Sequence, residues 1–316
     1  MKRFFASSRR AKQRQPSAKS KFKVPQLPHD VLLYIVKHLQ HDSKSLQACI
    51  LASRAWREAA QPFLFRSIVV TGEVRLLQLE KYIQDAPTIA SWIHRLEVDR
   101  SLRGQNVDNP SLEYPSWFFQ LAPKVADKLQ NLTALHFSHV TEAALKPSSE
   151  FFQGLSAFNQ VRSLTLDDCH LTDPVLFAFI SAFPNLETFH LRNHHRNASV
   201  GPNVPCLHPP SLTSLRVDIA INPFDTITPF LRWISTTPSI TTLHSVTVRN
   251  VAGTLLMNSD GSVCVARDVG ALLQKCTSLK DLGLTFVDKN EIPRNDGDTG
   301  ERSSSLRFYE ILTRPR

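Results

Sequence analysis

The apolar positions of the chain change period near residue 65. Before that point they recur at helix spacing. Val31, Leu32, Ile35, Val36 and Leu39 follow Pro28, a residue suited to a first helical position. Asp42 or Ser43 is placed to cap a second helix carrying Leu46, Cys49, Ile50 and Ala52. A third short helix carries Ala55, Trp56 and Ala59 and is predicted to stop at Pro62. Three helices in so short a segment make a small core, one that leans on a partner or a following domain.

From Phe65 to about residue 288 the rhythm is different. Seven segments fit L-x-x-L-x-L with apolar substitutions: Ile93-Leu96-Val98, Leu132-Leu135-Phe137, Val161-Leu164-Leu166, Leu186-Phe189-Leu191, Leu212-Leu215-Val217, Leu243-Val246-Val248 and Leu279-Leu282-Leu284. Ile68-x-Val70 fits as an eighth. Their middle anchors lie 39, 29, 25, 26, 31 and 36 residues apart, the length of one strand plus one helix. The expectation is an α/β fold in which parallel strand–helix units stack as a solenoid. Helices are predicted between the strands. One is capped at Asp173-Pro174 and carries Val175, Leu176, Phe179, Ile180 and Phe183 as far as Pro184; another opens at Thr228-Pro229. Val269, Leu272, Leu273 and Cys276 mark a third, and Leu76, Leu79 and Ile83 an early one. Residues 99–113 and 194–211 read as loops. Ser259-Asp260-Gly261, between Leu255-Leu256-Met257 and Val263-Cys264-Val265, reads as an inserted hairpin. The domain division expected is a basic tail over 1–23, helices over 24–65, the solenoid over 66–288, and a charged, mobile segment over 289–316.

Composition narrows the function. No apolar run approaches the length of a membrane span, and no apolar signal core follows Met1, so a soluble, unsecreted protein is expected and the sequons at Asn131 and Asn197 carry no weight. Glycine is scarce, at 10 residues, and no G-x-G-x-x-G or G-x-x-x-x-G-K-[ST] occurs, which argues against a phosphate-cradling enzyme. The five cysteines are dispersed without a C-x-x-C, as in a reducing compartment. The net charge of +9 resides in residues 1–23, which hold nine Lys/Arg and no Asp or Glu; the remaining chain balances 28 basic against 28 acidic residues. The tail reads as a solvated segment, a nuclear localisation signal over residues 9–23 or a mitochondrial presequence, and the sequence leaves these open.

The helical segment resembles an F-box. The residues that carry this are Leu27-Pro28-x-Asp30-Val31-Leu32, then Ile35, Leu39 and Leu46, then Ala52-Ser53-Arg54-x-Trp56-Arg57. Asp30 stands where Glu is usual and keeps the charge. The resemblance implies a three-helix module docking on a Skp-family adaptor within a cullin-based SCF ubiquitin ligase, with Leu27, Pro28, Val31, Leu32, Ile35, Leu39, Leu46 and Trp56 as adaptor-binding residues. The following array resembles divergent leucine-rich repeats. Its best unit runs from Val161 through Leu164, Leu166, Cys169 and Leu171 to Asp173; elsewhere the turn position of Cys169 holds Val140, His194, Ala220, Val251 or Val287, so those turns must be satisfied differently.

In such repeats the strand residues between the leucines share one face. Arg95, Glu97, Asp99, Thr165 and Thr247 belong to it, and Asp167, His190, Arg192, Arg216, Asp218 and Arg249 are the candidate substrate-binding residues. This mixed charge suits a protein surface better than a nucleic acid groove. His194, His195, Cys206 and His208 match no zinc spacing, and no nucleophile motif accompanies the twelve histidines, so no metal, cofactor or catalytic residue is expected. The function expected is that of a non-enzymatic substrate receptor in cytoplasm, nucleus or both, with an unidentified protein substrate and no membrane or nucleic acid partner. The alternatives are a repeat scaffold acting outside a ubiquitin ligase and a nucleic-acid-associated protein working through the tail.

Overall fold

The computed structural model describes residues 27–99, 117–142, 149–196, 209–219, 227–250 and 264–286. The basic tail, the tip of the expected hairpin, Cys206 and His208, and residues 289–316 lie outside the described residues. Two compact units divide after Ala60. Among the described residues no helix is long and apolar enough to cross a membrane.

The first unit is helical. Helix α1 spans His29–His38, α2 Ser43–Ala52 and α3 Arg54–Leu64, with the division between the units falling inside α3. Pro28 stands one place earlier than predicted. Its ψ of 146° is extended, so it is the N-cap, and its carbonyl accepts the Val31 and Leu32 N–H groups at 3.1 and 3.2 Å. Asp42 caps α2 as expected, accepting from Lys44 N and Ser45 N. Pro62 does not stop α3, which runs two residues further. In the last turn a proline removes one helical bond, and the ladder resumes with Phe65 N–H donating to Gln61 O at 3.0 Å.

The second unit is mixed α/β. All seven L-x-x-L-x-L segments, and the eighth at Ile68-x-Val70, end in strands: β1 Ser67–Val70, β2 Arg95–Asp99, β3 Ala134–Ser138, β4 Ser163–Asp167, β6 Thr188–Arg192, β8 Ser214–Ile219, β9 Ser245–Asn250 and β10 Asp281–Phe286. They form one parallel sheet in chain order. Two dipeptide strands, β5 His170–Leu171 and β7 His195–Arg196, pair beside it. In-register pairing aligns the inward residues in rows. Leu96, Leu135, Leu164, Phe189, Leu215 and Val246 form one row, and Val70, Val98, Phe137, Leu166, Leu191, Val217 and Val248 the next; all are buried. The first anchor of each motif, from Ile93 to Leu243, is buried just before its strand.

From β2 onward the start of each strand of the main sheet repeats one device. A single carbonyl of the preceding unit accepts two successive N–H groups: Thr133 O takes those of Arg162 and Ser163, and Arg162 O those of Glu187 and Thr188. Asn131 and Asn185, each just before an anchor, donate to Ser91 O and Asn159 O, both at 2.7 Å, and tie neighbouring units together.

Helices α4 Glu73–Asp85, α5 Pro87–Trp92, α6 Trp117–Val125, α7 Ser149–Ser156, α8 Asp173–Ser181, α9 Thr228–Ile234, α10 Ser239–Thr242 and α11 Cys264–Lys275 fill the connections. Thr172, not Asp173, is the N-cap of α8; Asp173 and Pro174 are its first two helical residues, where a missing proline N–H costs nothing. Cys264-Val265, expected in a hairpin strand, opens α11 instead. Phenylalanines join helices to sheet: Phe179 meets Phe137 at 5.0 Å edge-on, and Phe230 lies 5.7 Å from Phe189.

Leu164 is the clearest test of this core. It is fully buried between Leu135 and Phe189. Leu164→Asp places a carboxylate with no partner there and is expected to cost more than about 4 kcal/mol, enough to unfold the sheet. Circular dichroism against temperature reads this directly; a cooperative transition near that of the unchanged chain contradicts the packing.

Candidate functional site

Two surfaces carry the candidate residues. In the helical unit, the predicted adaptor-binding residues separate by depth. Leu32 and Leu46 are buried, with Val36, Ala59 and Ala60. Ile35, Leu39 and Trp56 are half-buried, and Pro28 is exposed. Leu27 and Val31 are 49% and 41% exposed. Two exposed apolar residues were missed from the sequence: Tyr34 at 66% and Leu51 at 81%. Tyr34 follows Val31 by three residues, so both lie on one face of α1, and its ring packs edge-on against His38 at 4.6 Å. That i, i+3 spacing was the available signal. The Ser53-Arg54-x-Trp56-Arg57 signature has structural work of its own. Ser53 Oγ accepts the Trp56 N–H at 3.4 Å, Arg54 pairs with Glu58 at 2.8 Å, and Arg57 Nε donates to Ile50 O at 3.4 Å.

The sheet's other face is polar, as its parity requires. Register places Asp99, Ser138, Asp167, Arg192, Asp218, Arg249 and Thr285 in one row, and Glu97, His136, Thr165, His190, Arg216 and Thr247 in the next. All six predicted substrate-binding residues therefore fall in one contiguous patch. Most of its charges are matched internally. Arg192 Nη1 lies 3.3 Å from Asp167 Oδ2, and Asn193 Nδ2 donates to Asp167 Oδ1 at 3.4 Å. Asp218 is nearly buried and takes Arg216 through Nε at 3.0 Å and Nη2 at 2.9 Å, and His190 Nε2 at 2.8 Å. Arg249 is exposed.

The titrations follow this geometry. Burial pushes the carboxyl of Asp218 upward, but hydrogen bonds from Arg216 and His190 outweigh it and hold the group below its ordinary 3.8. Burial lowers His190 below 6.5 despite the attraction of Asp218, and Arg216 and Arg192 push the same way. The neutral ring then donates its Nε2–H to the ionised carboxylate. His136 is also lowered by burial, against the pull of Glu97. Its Nδ1 accepts from Arg95 Nη2 at 3.1 Å, which leaves Nε2–H to donate to Ser138 Oγ at 3.2 Å.

The turns leaving β3, β4 and β6 share one conformation. His139, Asp168 and Asn193 have φ of 58°, 51° and 48°, a left-handed region that these residue types tolerate better than most. Their N–H groups extend the ladder to Asp167 O, Arg192 O and Asp218 O, each at 3.0 Å. The left-handed turns also bring histidines to acids: His139 lies 3.1 Å from Asp99 and 3.4 Å from Asp168. Burial pushes the Cys169 thiol up to about 12, so it stays protonated, and Sγ lies within bonding reach of Phe137 O at 3.6 Å and Asp167 O at 3.4 Å. At the equivalent turn His194 Nδ1 reaches Cys169 O at 2.9 Å, a different solution at the position where the best unit has cysteine. Among the described residues no three His, Cys, Asp or Glu side chains converge as metal ligands.

Residues 24–101 match the family model of the COS11 F-box domain. The match supports an F-box protein. It covers the three helices and runs on through β1, α4, α5 and β2. F-box domains generally bind Skp1-type adaptors within cullin complexes. No curated protein matches the sequence.

Protonation gives the polar face a testable signature. His136 and His190 titrate below 6.5 when folded, so the folded state binds fewer protons than the unfolded one. The stability they contribute is present above that value and is lost as pH falls through it; Asp218 adds a further loss only below 3.8. The urea midpoint is therefore expected to drop from about pH 7.5 to about pH 5.5, and the drop to be shallower in His136→Gln/His190→Gln. A double variant with the unchanged pH slope refutes the assignment.

Proposed function

We propose that the protein is the substrate-recognition subunit of an SCF-type ubiquitin ligase. Its F-box docks on a Skp-family adaptor, and its strand array, read as a divergent leucine-rich-repeat solenoid, presents the polar sheet face to a protein substrate. The single observation that carries this is the F-box match over residues 24–101. Exposed Val31 and Tyr34 on one face of α1, and exposed Leu27 just before that helix, agree with it, since apolar side chains left outside so small a unit are interface material. Eight parallel strands in chain order, seven of them closing an L-x-x-L-x-L segment, support the repeat reading. The Cys169 turn supports it too.

In this role the protein does no chemistry. It holds a substrate near the charged conjugating enzyme and raises the effective concentration of a lysine nucleophile. The reading places it in the cytoplasm, the nucleus or both. Arg192, Arg216, Arg249, Asp167, Asp218 and His190 meet the substrate, by contributing selectivity through charge complementarity.

Leu27→Ala, Val31→Ala and Tyr34→Ala combined are expected to weaken adaptor binding at least about a hundredfold, with helix content retained, because interface anchors carry most of the binding energy. Co-purification with adaptor and cullin measures this. Retention of both by the triple variant refutes adaptor docking through this face and favours the scaffold alternative.

Arg192→Glu/Arg216→Glu is expected to lengthen substrate half-life while adaptor binding stays intact. Arg249→Glu, which breaks none of the ion pairs above, is the control for local rearrangement. Proteome-wide half-lives unaltered by all three changes, with the sheet still folded, remove the polar face as the receptor surface.

A further inference from the structure

Apart from half-buried Ile68 on the first strand, the apolar rows are buried along the sheet until its last strand. Leu282 is in register with Val246 and Leu215, both fully buried, yet it is 40% exposed. Leu284 is half-buried, where Val248 and Val217 beside it are buried. The anchor Leu279 is half-buried, whereas the other six first anchors are buried. Helix α11 shows the same gradient: Val269 and Leu272 are buried, Leu273 and Cys276 only partly. Among the described residues strand β10 pairs with β9 alone. An uncovered apolar strip beside an open strand edge is a template for association, and stacked-unit proteins need such an end covered.

We propose that residues 306–312 of this same chain cover it. The sequence between β10 and that segment, residues 287–305, is almost entirely polar, with Val287 and Ile292 its only large aliphatic residues. Then Leu306, Phe308, Tyr309, Ile311 and Leu312 arrive within seven residues. Only Arg307 and Glu310 interrupt these five apolar and aromatic residues. The intervening 19 residues reach roughly 60 Å when extended, far more than the width of one strand–helix unit. Tethering gives the segment a local concentration on the order of millimolar. An unlinked partner or a second copy has no such advantage, which is the reason to assign the strip to the chain itself. The proposal is independent of the ubiquitin ligase reading.

Hydrogen exchange on the full chain tests it, with light scattering for mass. In Phe308→Asp/Ile311→Asp, and in a chain stopped after Ser304, the amides of β10 and of the last turn of α11 are expected to exchange at least about tenfold faster, while those of β4 and β6 are unchanged. A synthetic peptide of residues 303–316, added at millimolar concentration, is expected to restore protection in the shortened chain. Equal β10 exchange in the full chain and both variants overturns the proposal, as does failure of the peptide. Protection that follows a dimer mass on dilution also overturns it and assigns the strip to a second copy.

Discussion

The structure depends on burial that no unit achieves alone. Each L-x-x-L-x-L segment brings one anchor and two inward strand residues, and a strand is covered at its sides only when another lies on each flank. Leu164 is dry because Leu135 and Phe189 flank it in register. At roughly 2 kcal/mol for each buried leucine, two rows of six and seven buried residues make the dominant favourable contribution of the unit. The rows also lock the register. A slip of one residue turns Thr165 and Asp167 into the core and Leu164 and Leu166 out of it, so the pattern stabilises one pairing and penalises its neighbours.

Because stability is carried by one face, the other is free to hold charge. That face is not a set of loose ions. Asp218 is nearly buried, and its desolvation is offset by two bonds from Arg216 and one from His190, with His190 kept neutral. Arg192 is held by Asp167 one strand away. The same alternation that separates core from surface thus lines up acids and arginines strand after strand. The left-handed residues His139, Asp168 and Asn193 continue the ladder past the strand ends and add histidine–carboxylate contacts there. Glycine is not needed in these turns, in keeping with its scarcity in the chain.

The strands were legible in the sequence because seven copies of one pattern reinforce each other, and a parallel order follows from spacings that fit a helix between them. Helix boundaries were less legible. Pro28, Pro174 and Pro62 sit at an N-cap, a second helical position and a last turn, three places that tolerate proline for different reasons and that spacing does not distinguish. The shared face of the six substrate-binding candidates followed from parity alone. Their pairing did not, since Asp218 meets His190 across 28 residues of sequence and only the register brings them together. In the helical unit, apolar residues occupy more than one face of short helices. Periodicity therefore offered Leu32 and Leu46 as readily as Leu27 and Val31, and it passed over Tyr34 and Leu51.

The two candidate surfaces obey different binding physics. A face built on Leu27, Val31 and Tyr34 gains free energy by removing apolar area from water, which is insensitive to salt and to the detail of partner charge. A face built on Asp–Arg and His–Asp pairs gains little from bulk attraction, since most of its charges already have a partner that a ligand must match or displace. It discriminates by penalising wrong charge arrangements, and ionic strength screens it. In the ligase reading the salt-resistant surface serves an adaptor that never changes, and the discriminating one serves the substrate. Alternation along the strands makes that division workable. Exchanging Arg192 or Arg249 leaves the buried rows untouched, so in that reading the polar face can be retuned for a new substrate without loss of the stacking that holds the sheet together.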